Sequence, residues 1–198
     1  VLANGGLPAG PIPEEFAGPA REAYKTLPVV QSVDLDACFR GAYEGGPPGV
    51  PGFLYWRKYC AESAEILRPG EAIDGVGGAS SLADDEREAF NAPFPDESYA
   101  QGARRFPSLV PLCADEPEVA ENKAAWKVLE EFSKPFMLAF ADDDPVTASM
   151  AQPFLDSVPG CQGVEHRTIA PAGHFLQQDQ PEQCVQAILD LTQWNRPV

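Results

Sequence analysis

The spacing of apolar residues divides the chain into an irregular first part and a regular last part. From residue 118 onward, segments with apolar positions at helical spacing alternate with short segments typical of strands, the first of which is an apolar run bounded by breakers at 135–140. This pattern predicts helices over residues 119–132, 149–158 and 181–194, a buried strand over 135–140 and another strand over 165–170. The predicted inward residues are Val119, Asn122, Trp126, Leu129 and Phe132 in the first helix and Val185, Ile188, Leu189 and Leu191 in the last. Such alternation is typical of an α/β layer with a parallel sheet.

The chain opens on the end of a further strand. Val1, Leu2 and Ala3 are apolar and run directly into Asn4 and Gly5, which favour a loop. A doubly wound sheet usually has more than three strands. We therefore expect N-terminal strands of the same sheet, and the natural start of the protein, to lie upstream of Val1.

The part between the first strand and residue 118 predicts a separate helical unit. Residues 8–52 are rich in Pro and Gly, with short helical patterns at 20–24 and 35–43, and a connection of this length is typical of a functional lid. Three further short helices are predicted near 53–60, 84–91 and 99–105. We therefore predict a main-domain strand in residues 1–8, an inserted helical cap domain in 9–117 and the C-terminal part of the main domain in 118–198.

Composition and charge exclude several classes of partner. The chain has 198 residues, of which 44% are hydrophobic and 22% charged, as in a compactly folding protein. No apolar run approaches the roughly 18 residues that a membrane-spanning helix requires. Lys and Arg number 14 against 30 Asp and Glu, and the resulting charge of −16 repels phosphate backbones and anionic lipid. We expect neither nucleic acid nor a membrane as a partner.

The cysteines point to a reducing compartment. There are five of them, widely spaced and without a C-x-x-C pair, at Cys38, Cys60, Cys113, Cys161 and Cys184. Together with only two histidines, this pattern predicts a cytoplasmic protein without a structural zinc ion.

Candidate catalytic side chains follow two of the predicted strands. Asp142, Asp143 and Asp144 come directly after the strand at 135–140, and His174 follows the strand at 165–170 after a tight turn. Sites of open α/β sheets lie beyond the carboxyl ends of the strands, where a carboxylate can orient and support a basic histidine. We take His174 as the base and Asp144 as its partner, with Asp142 as the alternative, whereas His166 falls inside a predicted strand.

Each of these signals also has a structural interpretation. Carboxylates favour a helix N-terminus, and a single histidine is often a surface residue. The described chemistry would also need a nucleophile, and neither a G-x-S-x-G elbow nor an equivalent occurs in the sequence. We expect the nucleophile upstream of Val1.

Several strings of the chain resemble haloalkane dehalogenases, specifically the subfamily of the dichloroethane-degrading enzyme. The strings are APFPDESY at 92–99 followed by Gly102, Arg104, Phe106 and Pro107, LANGGLP at 2–8, FLYWRKY at 53–59, DDPV at 143–146 and AGHF at 172–175. The resemblance extends over nearly the whole chain. It implies an α/β-hydrolase fold that is partial here, with its N-terminal strands missing and a helical cap domain inserted.

The resemblance also implies a reaction and its residues. An upstream Asp would displace halide from a small halogenated hydrocarbon, and water would hydrolyse the resulting alkyl ester with His174 as base and Asp144 as its support. Trp56 would donate its indole N–H to the departing halide, together with a second Trp beside the nucleophile. No metal or organic cofactor is called for, and a monomer is expected for the full-length protein.

Other assignments remain open from the sequence. From spacing alone Trp56 is an ordinary core aromatic residue, and another alignment would place the halide-binding position near Ala20, which has no donor. Tyr55, Tyr59 and Tyr99 could polarise an epoxide oxygen instead, so another capped α/β hydrolase, an epoxide hydrolase or an esterase, is the alternative function. A catalytically inactive fragment is the third.

Overall fold

The computed structural model describes residues 1–76 and 81–193. The helices are α1 Glu14–Thr26, α2 Leu35–Phe39, α3 Gly52–Glu62, α4 Pro69–Asp74, α5 Asp84–Asn91, α6 Gln101–Arg105, α7 Glu118–Glu130, α8 Ala151–Ser157, α9 Leu176–Asp179 and α10 Pro181–Gln193. The strands are β1 Leu2–Ala3, β2 Leu138–Ala141 and β3 Arg167–Ile169. No helix in the described ranges is long and apolar enough to span a membrane.

The described residues form two compact units. The first contains Val1–Leu7 and residues 124–193, and the second contains Pro8–Val76 and residues 81–123. The predicted boundaries lay after residues 8 and 117, whereas the units change after residues 7 and 123, so that α7 contributes to both. The role of the second unit as a cap stays a prediction.

A parallel sheet forms the centre of the first unit. Its strands lie in the order β1-β2-β3, with Ala3 paired to Ala139 and Ala141 paired to Ile169. Both faces of β2 are covered: alternate residues Ala139 and Ala141 pack in a cluster with α10, while Leu138 packs with Phe154 of α8 and with Trp126. Burial on both faces explains why β2 is wholly apolar rather than alternating with polar residues.

The predicted inward face of α10 is wrong in three of its four residues. Val185, Ile188 and Leu189 are 55%, 52% and 44% exposed. The residues that pack on the core are Ala187, which is 1% exposed, together with Cys184 and Leu191. These lie three and four residues apart, on one stripe of the helix. A small residue at the centre of the stripe allows close packing on the sheet, which a count of large apolar residues does not reveal. Trp194, the last residue of the predicted helix, lies outside the described residues.

The second unit contains more helix than the sequence pattern predicted. α1 runs over thirteen residues and includes Pro19, where a break was expected, so one backbone hydrogen bond is given up inside the helix. α4 was not predicted; it begins at Pro69, a residue favoured in the first turn. α3 packs against α2 at Gly52, where a side-chain Cβ would lie 2.4 Å from the Cα of Phe39.

Arg104 holds the loop after α3 in place. Its guanidinium donates to the backbone carbonyls of Cys60, at 3.2 Å, and Glu65, and forms an ion pair with Glu97. The side chain is only 12% exposed, so these contacts are shielded from water. Arg104 was picked out from the sequence only as part of the resemblance, and the structure gives it this local structural role.

Candidate active site

The candidate site lies at the carboxyl ends of β2 and β3. The apolar residues of β2 end at Ala141, and the chain then enters the acidic loop that begins at Asp142. This loop is joined to the loop after β3, because the backbone N–H of Asp142 donates to Ile169 O and that of Asp143 donates to Ala172 O, both at 3.1 Å. The strand ends thereby place the acidic residues next to the segment that carries His174.

Asp144 and His174 meet in a direct hydrogen bond. The Nδ1 atom of His174 lies 3.0 Å from Oδ1 of Asp144, whose side chain is completely buried, and the side chain of His174 is 22% exposed. The structure thus brings together the two residues that the sequence analysis paired. Their catalytic roles stay a proposal.

The surroundings of Asp144 keep its carboxylate ionised. Burial acts to raise the pKa of Asp144, but hydrogen bonds from His174, Thr147 and the Val146 backbone outweigh it and leave the pKa below its usual value. Oδ1 accepts from Val146 N at 2.8 Å, and Oδ2 accepts from Thr147 N at 3.2 Å and from the Thr147 hydroxyl. An ionised carboxylate can only accept, so the proton of the shared bond lies on Nδ1 of His174. In the neutral ring, the other nitrogen, Nε2, then carries the lone pair and can act as a base.

The two alternative residues make other contacts. Asp142 is exposed, and its Oδ1 accepts from Ala172 N at 2.9 Å, so it braces the loop backbone. His166 immediately precedes β3 rather than lying inside it, and its Nδ1 accepts from Leu138 N at 3.1 Å. Burial lowers the pKa of His166, which favours the neutral ring that this bond requires. The geometry therefore favours Asp144 over Asp142 and His174 over His166.

Two side chains that were not predicted from the sequence hold the His174 segment. Asn4 donates from Nδ2 to Gly173 O at 2.9 Å and to His174 O at 2.8 Å. Asp179 accepts from Gly173 N at 2.7 Å. The only sequence signal for Asn4 was its place at the end of a strand next to Gly5, and Asp179 gave none.

Trp56 lies in α3 of the second unit and is half-buried. Its ring stacks on that of Tyr59, with centroids 5.8 Å apart and an interplanar angle of 18°. No residue in the described ranges accepts a hydrogen bond from its indole N–H, whereas the indole N–H of Trp126 donates to Leu7 O at 2.8 Å. Ala20, the alternative halide-binding position, lies in α1, and its side chain has no hydrogen-bond donor. The halide-binding role of Trp56 stays a prediction.

Two of the three candidate tyrosines belong to the core of the second unit. Tyr55 and Tyr59 are 3% and 2% exposed, whereas Tyr99 is 62% exposed. Burial, followed by the effect of Glu65, raises the pKa of Tyr59 to about 12. The positions of Tyr55 and Tyr59 therefore suit packing rather than contact with a substrate oxygen.

Curated relatives match much of the chain. Those named haloalkane dehalogenase include proteins of Psychrobacter cryohalolentis, at 41% identity over 138 residues, and Mycobacterium marinum, at 36% over 137 residues. The matches cover 70% and 69% of this chain but 45% of each relative, so the chain spans about half the length of the curated relatives it matches. No protein-family profile matches the chain.

Solved structures show the same fold. A putative ancestral haloalkane dehalogenase and haloalkane dehalogenase DbeA from Bradyrhizobium elkani each superpose with a TM-score of 0.53 at 20% identity. Each superposition covers 86% of this chain and 50% of the other. The predicted α/β-hydrolase fold, present here in part, is confirmed.

Proposed function

The chain is homologous to part of the haloalkane dehalogenases, and we propose that the whole protein hydrolyses the carbon–halogen bond of small haloalkanes, giving an alcohol and a halide ion. The observation that supports this most directly is the hydrogen bond between His174 and the buried carboxylate of Asp144 at the ends of adjacent strands. This pair suits a base that activates water.

The first step is a displacement at carbon. A carboxylate oxygen, which we place upstream of Val1, attacks the carbon that bears the halogen, and the electron pair of the carbon–halogen bond leaves with the halide. The product is an alkyl ester of the enzyme. Trp56 has an indole N–H that is not committed within the described residues, and it stabilises the charge that develops on the halide.

The second step is hydrolysis of that ester. Nε2 of His174 takes a proton from water, and the resulting hydroxide adds to the ester carbonyl carbon. Collapse of the tetrahedral intermediate breaks the bond between this carbon and the alkoxide oxygen. The alkoxide takes the proton of the regenerated carboxylic acid and leaves as alcohol, while the proton on His174 goes to solvent.

Asp144 supports this second step in two ways. It accepts from Nδ1–H of His174, which selects the neutral tautomer with its lone pair on Nε2 and fixes the plane of the ring. Its lowered pKa keeps it negatively charged, so it stabilises the imidazolium that forms when His174 takes the proton. The bonds from Val146 and Thr147 hold the carboxylate in place while the proton moves.

Isotope labelling of the whole protein tests the reaction. With bromobutane as substrate, we expect bromide and butanol in equal amounts. In a single turnover with excess enzyme in ¹⁸O-labelled water, butanol should carry unlabelled oxygen from the enzyme carboxylate, because water attacks the carbonyl carbon of the ester. Labelled butanol in that first turnover would exclude the ester mechanism. Hydrolysis of an epoxide or a nitrophenyl ester without bromide release would assign the protein to another group of capped hydrolases.

A further inference from the structure

One amide side chain ties together the ends of all three strands of the sheet. Asn4 directly follows β1, and its Oδ1 accepts from the backbone N–H of Ala141, the last residue of β2, at 2.9 Å. Its Nδ2 donates to Gly173 O at 2.9 Å and to His174 O at 2.8 Å, on the segment after β3. We infer that Asn4 is a positioning residue that sets the distance between His174 and Asp144, an inference that rests on the proposed function.

The hydrogen-bonding capacity of an amide matches this place. Both hydrogens of the Asn4 amide nitrogen have backbone acceptors, and its oxygen has a backbone donor. Aspartate has no hydrogen to donate, and serine has one only. Asparagine is the side chain of this length that can make all three bonds at once.

The backbone at Asn4 selects the same residue. Its φ is 37°, in the left-handed region, where residues with a Cβ are rare and asparagine is several-fold enriched. This conformation turns the chain sharply at the end of β1. Asparagine therefore meets two separate demands here, one from the backbone and one from the three hydrogen bonds.

Asn4 holds the segment that carries His174 directly, but it makes no bond to the Asp144 carboxylate. Asp144 is held by its own bonds from Val146 and Thr147, which do not involve Asn4. The backbone carbonyl of His174 is held by Asn4 directly. Loss of the Asn4 side chain should therefore leave the carboxylate in place and allow the imidazole to move away from it.

The test uses Asn4→Gly in the whole protein, because glycine accepts the left-handed backbone and removes only the side-chain bonds. The readout is the downfield proton resonance of Nδ1–H of His174, assigned by its absence in His174→Gln. We expect this resonance to broaden beyond detection in Asn4→Gly, with the dispersion of the other amide resonances retained. Asn4→Asp, which keeps the acceptor for Ala141 but donates nothing, should lose it too and decides the matter if the glycine variant does not fold.

Asn122→Ala is the matched control. The Asn122 amide donates to Pro8 O at 2.7 Å, so this change also removes an amide-to-carbonyl bond, and the resonance should persist. If the folded Asn4 variants keep the His174 resonance while losing as much thermal stability as Asn122→Ala, Asn4 has only a structural role and the inference is overturned.

Kinetics of the whole protein give a second readout. Asn4→Gly should lower kcat about 100-fold with little change in KM, since misplacement of a catalytic group by about 1 Å costs that much. Halide release in the first turnover should persist, because displacement does not use His174. The resonance does not depend on dehalogenase activity, so a failure of the proposed function and a failure of this inference are distinguishable. A kcat equal to that of the unaltered protein would contradict the positioning role.

Discussion

Nδ1 of His174 lies 3.0 Å from Oδ1 of Asp144, although thirty residues separate the two along the chain. The pair predicts the effect of Asp144→Asn on the whole protein. The neutral amide of Asn cannot stabilise the positive charge on the imidazole of His174. Its NH2 group would also replace one of the two carboxylate oxygens, and there it would face an N–H donor instead of accepting from it. We expect kcat to fall by about 10⁴-fold, as when the acid of a Ser-His-Asp triad becomes Asn, and the free energy of unfolding to fall by about 1–3 kcal/mol. Steady-state kinetics and urea denaturation measure the two effects.

Asp142→Asn is the control for the loss of a negative charge nearby. Asn keeps an oxygen that can accept from Ala172 N, so this exposed position should tolerate the change with nearly unaltered kcat. A loss of activity in Asp142→Asn larger than in Asp144→Asn would reverse the assignment of the acid.

Trp56 predicts a fluorescence signal for halide binding. Bromide or iodide close to an indole quenches its fluorescence, and the Trp56 N–H makes no hydrogen bond within the described part of the chain. Saturable quenching of the whole protein by bromide is expected, and Trp56→Phe should reduce its amplitude and weaken the apparent affinity. The weaker affinity is the decisive result. If Trp56 lay near the halide without binding it, Trp56→Phe would lower the quenching amplitude and leave the bromide affinity unchanged.

Trp126→Phe provides the comparison for the Trp56 variant. The Trp126 indole already donates to Leu7 O, and its ring packs on Phe154 with centroids 4.7 Å apart. This variant should lose thermal stability but keep the bromide affinity of the unaltered protein. Equal bromide affinity in both variants would remove Trp56 from the halide site.

The proximity of Asp144 and His174 could be predicted from the sequence because the sheet determines it. Each residue follows a strand, and the carboxyl ends of neighbouring parallel strands lie at the same edge of a sheet. The strand at 135–140 is visible as a short apolar run because β2 is covered on both faces. No further knowledge of side-chain packing was needed to bring these loops together.

Asn4 and α10 show what a linear pattern misses. The partners of Asn4 lie 137 to 170 residues away and are backbone atoms, so nothing in their side chains marks them. In α10 the inward stripe contains Ala187, a residue that hydrophobicity ranks below the exposed Val185 and Ile188. Close packing against the sheet selects a small side chain there, and that requirement depends on the distance between helix and sheet.

The isolated chain should not dehalogenate. We expect no bromide release from bromobutane by these 198 residues alone, because the proposed mechanism places the attacking carboxylate outside them. A colorimetric halide assay at high protein concentration checks this. Turnover that disappears in Asp142→Asn or Asp143→Asn would show that the chain's own carboxylates include the nucleophile.

His166 predicts a loss of stability at mildly acidic pH. Its Nδ1 accepts from Leu138 N, and burial lowers its pKa in the folded state. In the unfolded chain, histidine has a pKa of about 6.5, so the unfolded state binds a proton at a higher pH than the folded state does. The contribution of His166 is fully present above that pH and is lost as the pH falls through the folded pKa. Asp144, whose pKa lies below its usual value, contributes to the pH dependence only at more acidic pH.

Urea denaturation of the isolated chain between pH 7 and about pH 5 should therefore show a falling free energy of unfolding, with a shallower fall in His166→Gln, which has no ionisable group. Equal slopes in the two proteins would mean that protonation of His166 does not limit stability in this range.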